Sequence, residues 1–428
     1  MTEPAPDLAI PDFALVVLVG ASGSGKSSFA TRHFRPTEIV SSDQCRAMVC
    51  DDAADQDATA DAFELVMAIA AKRLARRRLT VIDATSTRAE DRRQLLGLAR
   101  RYHAPSVAVV LDLPEAECQA RNRARPGRQV PADVLREQVR RVHDSVPAIG
   151  REHFGTVHVL NSAASVDRAV LRRDPLRCDR RGEHGPFDLI GDVHGCRAEL
   201  EALLDRLGYR PDAVAAWRHP GGRRALFLGD LVDRGPDAPG VLRLAMAMVA
   251  SGTALAVPGN HDVKLVRKLL GRDVKIAHGL AETLAQFDAL PDAERQALAG
   301  AARAFFDNLP THLWLDDGRL VAAHAGLKSE MHGRSSGQVR SFALYGDTNG
   351  EIDEFGMPVR LDWAADYRGR AMVVHGHTPV PRAEWVNDTI CIDTGCVFGG
   401  ALTALRYPER ELVSVPAARV YMAPSRPL

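Results

Sequence analysis

The second half of the chain repeats one event. An apolar run ends in a glycine turn, and the turn carries a carboxylate, an amide or an imidazole. Phe187-Asp188-Leu189-Ile190 delivers Gly191-Asp192-Val193-His194-Gly195, and Ala225-Leu226-Phe227-Leu228 delivers Gly229-Asp230-Leu231-Val232-Asp233-Arg234-Gly235. Ala254-Leu255-Ala256-Val257 delivers Pro258-Gly259-Asn260-His261-Asp262. Leu320-Val321-Ala322-Ala323 delivers His324-Ala325-Gly326, and Ala371-Met372-Val373-Val374 delivers His375-Gly376-His377-Thr378. Such runs, bounded by glycine, read as short buried strands. One Asp-x-His triplet is ordinary loop polarity. Five strand ends of this kind, in this order, constrain the fold, because they must converge for their side chains to share cations.

The residue types fit metal chemistry. Alternate residues of an extended segment point the same way, so Asp192 and His194 face one cavity. A carboxylate with an imidazole suits a divalent metal of borderline hardness, such as manganese, iron or zinc. Two metals about 3.5–4 Å apart need a bridging carboxylate and can share a hydroxide nucleophile. Asp192, His194 and Asp230 are assigned to one metal; Asp230, Asn260, His324 and His377 to the second, with Asp230 as the bridge. His261 is then a general acid for the departing alkoxide, held by Asp233, and Arg234 grips the phosphate. His375 stays open as a substitute ligand.

The first half is built differently. Phe13-Ala14-Leu15-Val16-Val17-Leu18-Val19 reads as a buried parallel strand. Gly20-Ala21-Ser22-Gly23-Ser24-Gly25-Lys26-Ser27 follows it, a full G-x-x-x-x-G-K-S, and Ser28 leads into a helix. Gly20, Gly23, Ser24, Gly25 and Ser28 place backbone N–H groups and a helix N-terminus around phosphate oxygens. Lys26 reaches the β- and γ-phosphates of a nucleoside triphosphate such as ATP, and Ser27 holds Mg2+.

Glu38-Ile39-Val40-Ser41 delivers Asp43, a candidate base for an attacking hydroxyl, and Arg46, a candidate clamp on an acceptor phosphate. Spacing alone equally fits a helix-capping Asp and a surface Arg. Leu79–Ile82 ends in Asp83, placed to order the water shell of Mg2+. Helix 115–125 sets Arg121 and Arg125 four apart on one face, and Arg128 follows the Pro126-Gly127 break. Arginines on a lid would look like this, and so would solvated surface arginines.

At 428 residues the chain is too long for one ordinary core. The expected organisation is α/β: a parallel-sheet P-loop kinase domain over 1–165, a linker over 166–186, and a metallophosphoesterase domain over 187–428. The last is a two-sheet sandwich flanked by helices. Formal net charge is +0, which argues against a general polyanion binder. Arg76-Arg77-Arg78, Arg92-Arg93 and Arg180-Arg181 still leave room for a basic surface that tracks a phosphate chain. No apolar run is long enough to span a bilayer, and the acidic, Pro-rich start has no leader pattern. Seven scattered cysteines with no Cys-x-x-Cys pair point to free thiols and a cytoplasmic location.

These motifs resemble known families. The second half resembles the binuclear metallophosphoesterases, in their phosphoprotein-phosphatase-like branch, and the first resembles P-loop polynucleotide 5′-kinases. Together, over roughly Phe13 to Tyr421, they resemble the kinase and phosphatase modules of bacterial polynucleotide kinase-phosphatases, an RNA end-healing and sealing family. Ser41-Ser42-Asp43 with Arg46, Val81-Ile82-Asp83-Ala84-Thr85 and Gly395-Cys396-Val397-Phe398-Gly399-Gly400 carry the resemblance. It implies Asp43 as general base, Arg46 as acceptor contact, and Arg121, Arg125 and Arg128 as lid arginines. It implies action on RNA or DNA ends bearing 2′,3′-cyclic, 2′- or 3′-phosphates, with Mn2+ or Ni2+. It also implies a homodimer, with separate ligase and RNA methyltransferase partners. The family's C-terminal ligase-like domain has no counterpart before Leu428, so the expectation is end preparation and not sealing.

Two other readings fit the same motifs. One is a protein or dinucleotide phosphatase fused to a small-metabolite kinase. The other is a nucleotide-binding regulatory module without turnover.

Overall fold

The computed structural model describes residues 5–125, 129–212, 216–354 and 358–424. Arg128, expected on the lid, lies outside them. Contacts divide the chain into two units: Met1–Leu176 with Arg334–Ser336, and Arg177–Gly333 with Gly337–Leu428.

The first unit is built on a five-stranded sheet ordered Ile39–Ser41, Thr80–Asp83, Leu15–Gly20, Ser106–Leu111, Thr156–Leu160. Every pairing in it is parallel. The central strand Leu15–Gly20 is buried along its whole length. Leu15, Val17 and Val19 pack with Val66 and Leu74 of helix Thr59–Ala75 and Leu95 of helix Ala89–Arg101. Val16 and Leu18 point the other way, onto Phe29 and Ala30 of helix Lys26–His33. A strand covered on both faces has no polar side to show, which is why its sequence is an unbroken apolar run.

Residues 166–186, expected as a linker, and the few before them hold more structure than a linker would. Helix Ala163–Arg168 is capped by Ser162, whose hydroxyl accepts the Ser165 N–H at 3.1 Å. Strand Val170–Asp174 then pairs in parallel with Asp7–Pro11, and Asp179–Arg180 pairs with Leu313–Leu315. The reason is long-range pairing. Arg173 holds Glu38 through two bonds of 2.9 and 2.8 Å. Nothing within the stretch shows those partners.

The second unit holds two mixed sheets. One is ordered Ala254–Ala256, Arg224–Phe227, Phe187–Ile190, Ala401–Tyr407, Glu411–Pro416. The other is ordered Trp385–Val386, Thr389–Cys391, Met372–His375, Leu320–Ala322, Leu313–Leu315, Asp179–Arg180. Leu189 and Leu226 of the first meet Ala322 and Val374 of the second in the core between them. Ile190 turns outward onto Leu200 and Leu203 of helix Arg197–Leu207. Val321 and Val373 turn outward onto Val339 and Phe342 of helix Gly337–Tyr345. The result is a two-sheet sandwich with helices outside.

Asp188, the charged residue within a buried strand, is fully enclosed and paired. Tyr209 donates to it at 3.0 Å, and Arg223 and Arg406 each approach to 3.3 Å. A buried carboxylate survives only with such partners.

In each sheet three neighbouring strands run parallel. Their C-terminal ends therefore lie along one edge: those at 190, 227 and 256 in one sheet, and those at 322, 375 and 391 in the other.

Candidate active sites

The strand ends of the second unit meet around Asp230. Its Oδ2 lies 3.4 Å from His324 Nε2, 3.6 Å from His194 Nε2 and 4.0 Å from His261 Nε2. His324 Nε2 is 3.0 Å from Asn260 Oδ1 and 3.0 Å from His377 Nδ1. Asn260, His324 and His377 thus come together about Asp230, though His324 lies 64 residues from Asn260 and 53 from His377 in sequence.

Asp192 enters from the side. Its carboxylate accepts the His377 N–H at 3.1 Å, and its Oδ1 is 4.0 Å from His324 Nδ1. Strand alternation, the expected cause, does not set Asp192 and His194 facing one cavity. His194 is left-handed, with φ 45°, so the two do not alternate along an extended segment. The tight turn, and not the pleat, aims the imidazole inward.

Backbone carbonyls orient the rings. Val232 O accepts from His194 Nδ1 at 2.8 Å, and Leu228 O from His324 Nδ1 at 3.0 Å, which leaves each Nε2 facing the cluster. Burial, with Arg234 beside it, holds His194 well below the ordinary histidine range; burial, with His324 beside it, does the same for His377. These rings are neutral, which is the form that ligates a metal.

His261 Nδ1 is 2.7 Å from Asp233 Oδ2, so Nε2 is its outward nitrogen. Arg234 spans two rings, its Nη1 2.7 Å from His194 Nε2 and its Nη2 2.9 Å from His261 Nε2. His375 packs against Trp363, with ring centroids 5.3 Å apart, and is no member of the cluster.

Pattern reading passed over two carboxylates. Asp393, just past strand Thr389–Cys391, is buried, hydrogen-bonds Asp192 and accepts the Gly395 N–H at 3.0 Å. Burial pushes its carboxyl up to about 6. Its run, Thr389-Ile390-Cys391-Ile392-Asp393, ends in the same strand-then-carboxylate signal as the others. Asp262 bonds the Leu231 N–H at 3.0 Å and the Gly259 N–H at 2.8 Å, tying two ligand turns together.

Asp192, Asp230, Asp233, Asp262 and Asp393 are all buried at this one edge. Carboxylates so crowded need cations, and Arg234, together with Arg360 acting on His324 and His377, supplies fewer than the carboxylates call for. Asp, Asn and His donors facing one centre are the set that divalent metals take. The residues fit a pair of divalent metals.

The first unit holds its own site at the end of strand Leu15–Gly20. Gly23 and Gly25 take φ of 78° and 95°, open to glycine without strain. A Cβ on Gly23 would lie 2.3 Å from the Cys118 carbonyl oxygen. Lys26 Nζ folds over the loop to Ala21 O at 2.8 Å, and burial lowers its pKa to about 8. Ser27 hydrogen-bonds Asp83, so the two residues expected to hold and hydrate a cation are already paired. Ser24 is buried and Ser28 exposed on the same loop and helix.

Asp43 lies close enough for its charge to act on Lys26. Its Oδ1 is 2.8 Å from Arg46 Nη1, and its Oδ2 is 3.6 Å from Arg125 Nη2. Arg46 is buried and also holds Ala53 O at 2.8 Å, so it braces Asp43 more than it reaches outward. The helix expected through Arg125 ends at Ala124. Arg125 is extended and turns to Asp43, while Arg121 donates to Ser24 O of the loop at 3.3 Å. They do not share a helix face; they reach two sides of the same cradle.

Comparison with known proteins agrees with this division. Residues 15–149 match the model of an AAA domain, and residues 185–392 match that of calcineurin-like phosphoesterases. A bis(5′-nucleosyl)-tetraphosphatase PrpE of Anoxybacillus flavithermus is 46% identical over 242 residues, 55% of this chain and 96% of that protein. The same enzyme of Geobacillus thermodenitrificans is 48% identical over 232 residues, 54% of this chain and 94% of its own length. Among solved structures, a gluconokinase from Sinorhizobium meliloti is 20% identical, covering 37% of this chain and 87% of its own, with a TM-score of 0.26. Through its second half, which spans nearly all of relatives more than 40% identical to it, the chain belongs to the calcineurin-like phosphoesterase family, here carried behind an AAA/P-loop domain.

Proposed function

We propose that the chain prepares broken polynucleotide ends. The first unit moves the γ-phosphate of ATP to a 5′-OH end. The second removes 2′,3′-cyclic, 2′- or 3′-phosphates. One observation carries this reading: a P-loop cradle with a carboxylate, Asp43, close to Lys26 shares a chain with a second cluster of metal-capable donors. An enzyme that must add phosphate to one end and clear it from another needs both.

In the kinase unit Lys26 holds the transferring phosphates, and Ser27 with Asp83 would hold Mg2+, which would neutralise phosphate charge. Asp43 orients the attacking hydroxyl and takes its proton late, as a loose transition state allows. Arg121 and Arg125 neutralise charge on the phosphates. In the phosphatase unit Asp192, His194, Asp230, Asn260, His324 and His377 would hold two divalent metals, Mn2+ or Ni2+, which supply the nucleophile and charge neutralisation. Arg234 grips the phosphate. His261 Nε2 gives a proton to the leaving oxygen, while Asp233 keeps Nδ1 protonated and the ring aimed.

The test is incubation of the intact protein with γ-labelled ATP and a 5′-OH oligonucleotide, and separately with a 3′-phosphorylated one. Label on the first and phosphate from the second support the reading; no label transfer removes the kinase half. The relatives, bis(5′-nucleosyl)-tetraphosphatases, favour a second reading, hydrolysis of a dinucleoside tetraphosphate. Under it, that substrate outpaces the 3′-phosphorylated oligonucleotide.

A further inference from the structure

A pocket of about 330 Å3 opens beside His261. Lys264, Arg267, Lys275, His278 and Tyr345 line it, and among the described lining residues none is acidic. Its two walls have separate origins. His261, Lys264 and Arg267 recur every three residues on helix Asn260–Leu269, which gives them one face. Lys275 and His278 come from the segment that leads to helix Leu280–Asp288.

Two contacts fix that second wall. Lys264 Nζ donates to Ala277 O at 2.6 Å. Gly279, at φ 95°, is seated so closely on Arg234 that a Cβ would lie 2.3 Å from its backbone nitrogen. The pocket is therefore braced against the turn that grips the phosphate. Burial, then the neighbouring Arg234 and Lys275, holds Lys264 below its ordinary range despite Asp233. Asp233 lies behind this wall and does not line the pocket, so the cations that face the opening are better balanced once an anion joins them. Tyr345, at the end of helix Gly337–Tyr345, keeps 44% of its surface exposed at the rim. An exposed aromatic ring beside cations is how a base is stacked next to its phosphate.

His261 gives the direction. A general acid lies on the side of the leaving oxygen, so whatever is bonded to that oxygen continues into this pocket. We propose that the pocket is the leaving-group subsite of the phosphatase centre, for a nucleotide leaving group that carries at least one further phosphate. The further phosphate sits among Lys264, Arg267 and Lys275, and the base lies against Tyr345. The assignment rests on the centre being a phosphoesterase for nucleotides, as proposed above. Such a leaving group occurs in two sources, the 3′ end of a polynucleotide and a dinucleoside polyphosphate.

The experiment uses the full chain with Mn2+ and the double variant Arg267→Ala/Lys275→Ala, both residues being exposed. Four substrates are compared: p-nitrophenyl phosphate, a nucleoside 3′-monophosphate, a 3′-phosphorylated oligonucleotide and a dinucleoside tetraphosphate. Losing two phosphate contacts is expected to lower kcat/KM about tenfold, through KM, on whichever of the last two is the substrate, and to flatten its salt dependence. The first two substrates change by less than about twofold, since their leaving groups carry no second phosphate. Arg267→Lys/Lys275→Arg restores the loss. An equal loss on all four substrates, or none on any, overturns the proposal. If the tetraphosphate alone is cleaved and alone responds, the subsite stands and the end-healing reading falls.

Discussion

At the scale of single residues, His261 is the most informative. Its Nδ1 is fixed by Asp233 and its Nε2 meets Arg234, so removing the ring removes the proton donor and one partner of each, and the choice of leaving group separates the two effects. His261→Ala is expected to slow phosphate release from a nucleoside 3′-monophosphate by about 10²–10⁴-fold. The loss on p-nitrophenyl phosphate is expected to be far smaller, because that leaving group needs no proton. Equal losses on both would remove the acid role. His332 offers a test of stability. It is buried between Trp314 and Tyr367, and burial lowers its pKa to about 4. Its folded value lies below its unfolded one, so the unfolded chain takes up the proton first as pH falls. Stability is untouched above about pH 6.5 and drains away between there and about pH 4, by about 3 kcal/mol at full titration. His332→Phe is expected to flatten that acid limb in urea melts followed by tryptophan fluorescence. A variant as acid-sensitive as the parent would refute this.

At the scale of elements, the glycine turns decide whether strand ends become a site. A Cβ on Gly376 would lie 2.0 Å from Asp192 Oδ1, and one on Gly259 the same distance from Asp230 Oδ1. Gly376→Ala is therefore expected to abolish phosphate release and weaken Mn2+ binding by at least about tenfold, while leaving ATP-dependent transfer intact. Calorimetric titration with Mn2+ checks it. The strands themselves were legible: Phe187–Ile190 and Leu15–Gly20 lie where apolar runs between turns put them. Strand Val170–Asp174 was not, because its stability comes from Asp7–Pro11, far away in the sequence, and its polar side chains give no period. The same holds for Arg125. Its helical spacing from Arg121 was visible, but the pull of Asp43 past the helix end was not.

At the scale of the whole molecule, two sites on one chain imply separable losses. Asp43→Ala is expected to abolish label transfer to a 5′-OH oligonucleotide and to spare phosphate release; Asp230→Ala is expected to do the reverse. Either change killing both activities would sink the two-site reading. Mn2+ at about a hundred times its Kd is expected to stabilise the phosphoesterase unit by about 2.7 kcal/mol, and Asp230→Ala to lose that shift in a thermal melt. What the sequence determined unaided was chemistry and order: the nucleotide cradle, the succession of strands, and the acidic, amide and imidazole ends of five of them. Residue type and short-range period carry that information locally. The tertiary structure alone chose among the candidates. It drew His377 in and left His375 on Trp363, added Asp393 to the edge, and closed a basic pocket beside His261. Those outcomes depend on which strand ends become neighbours across two sheets, and such neighbours are set by packing between residues that no local pattern connects.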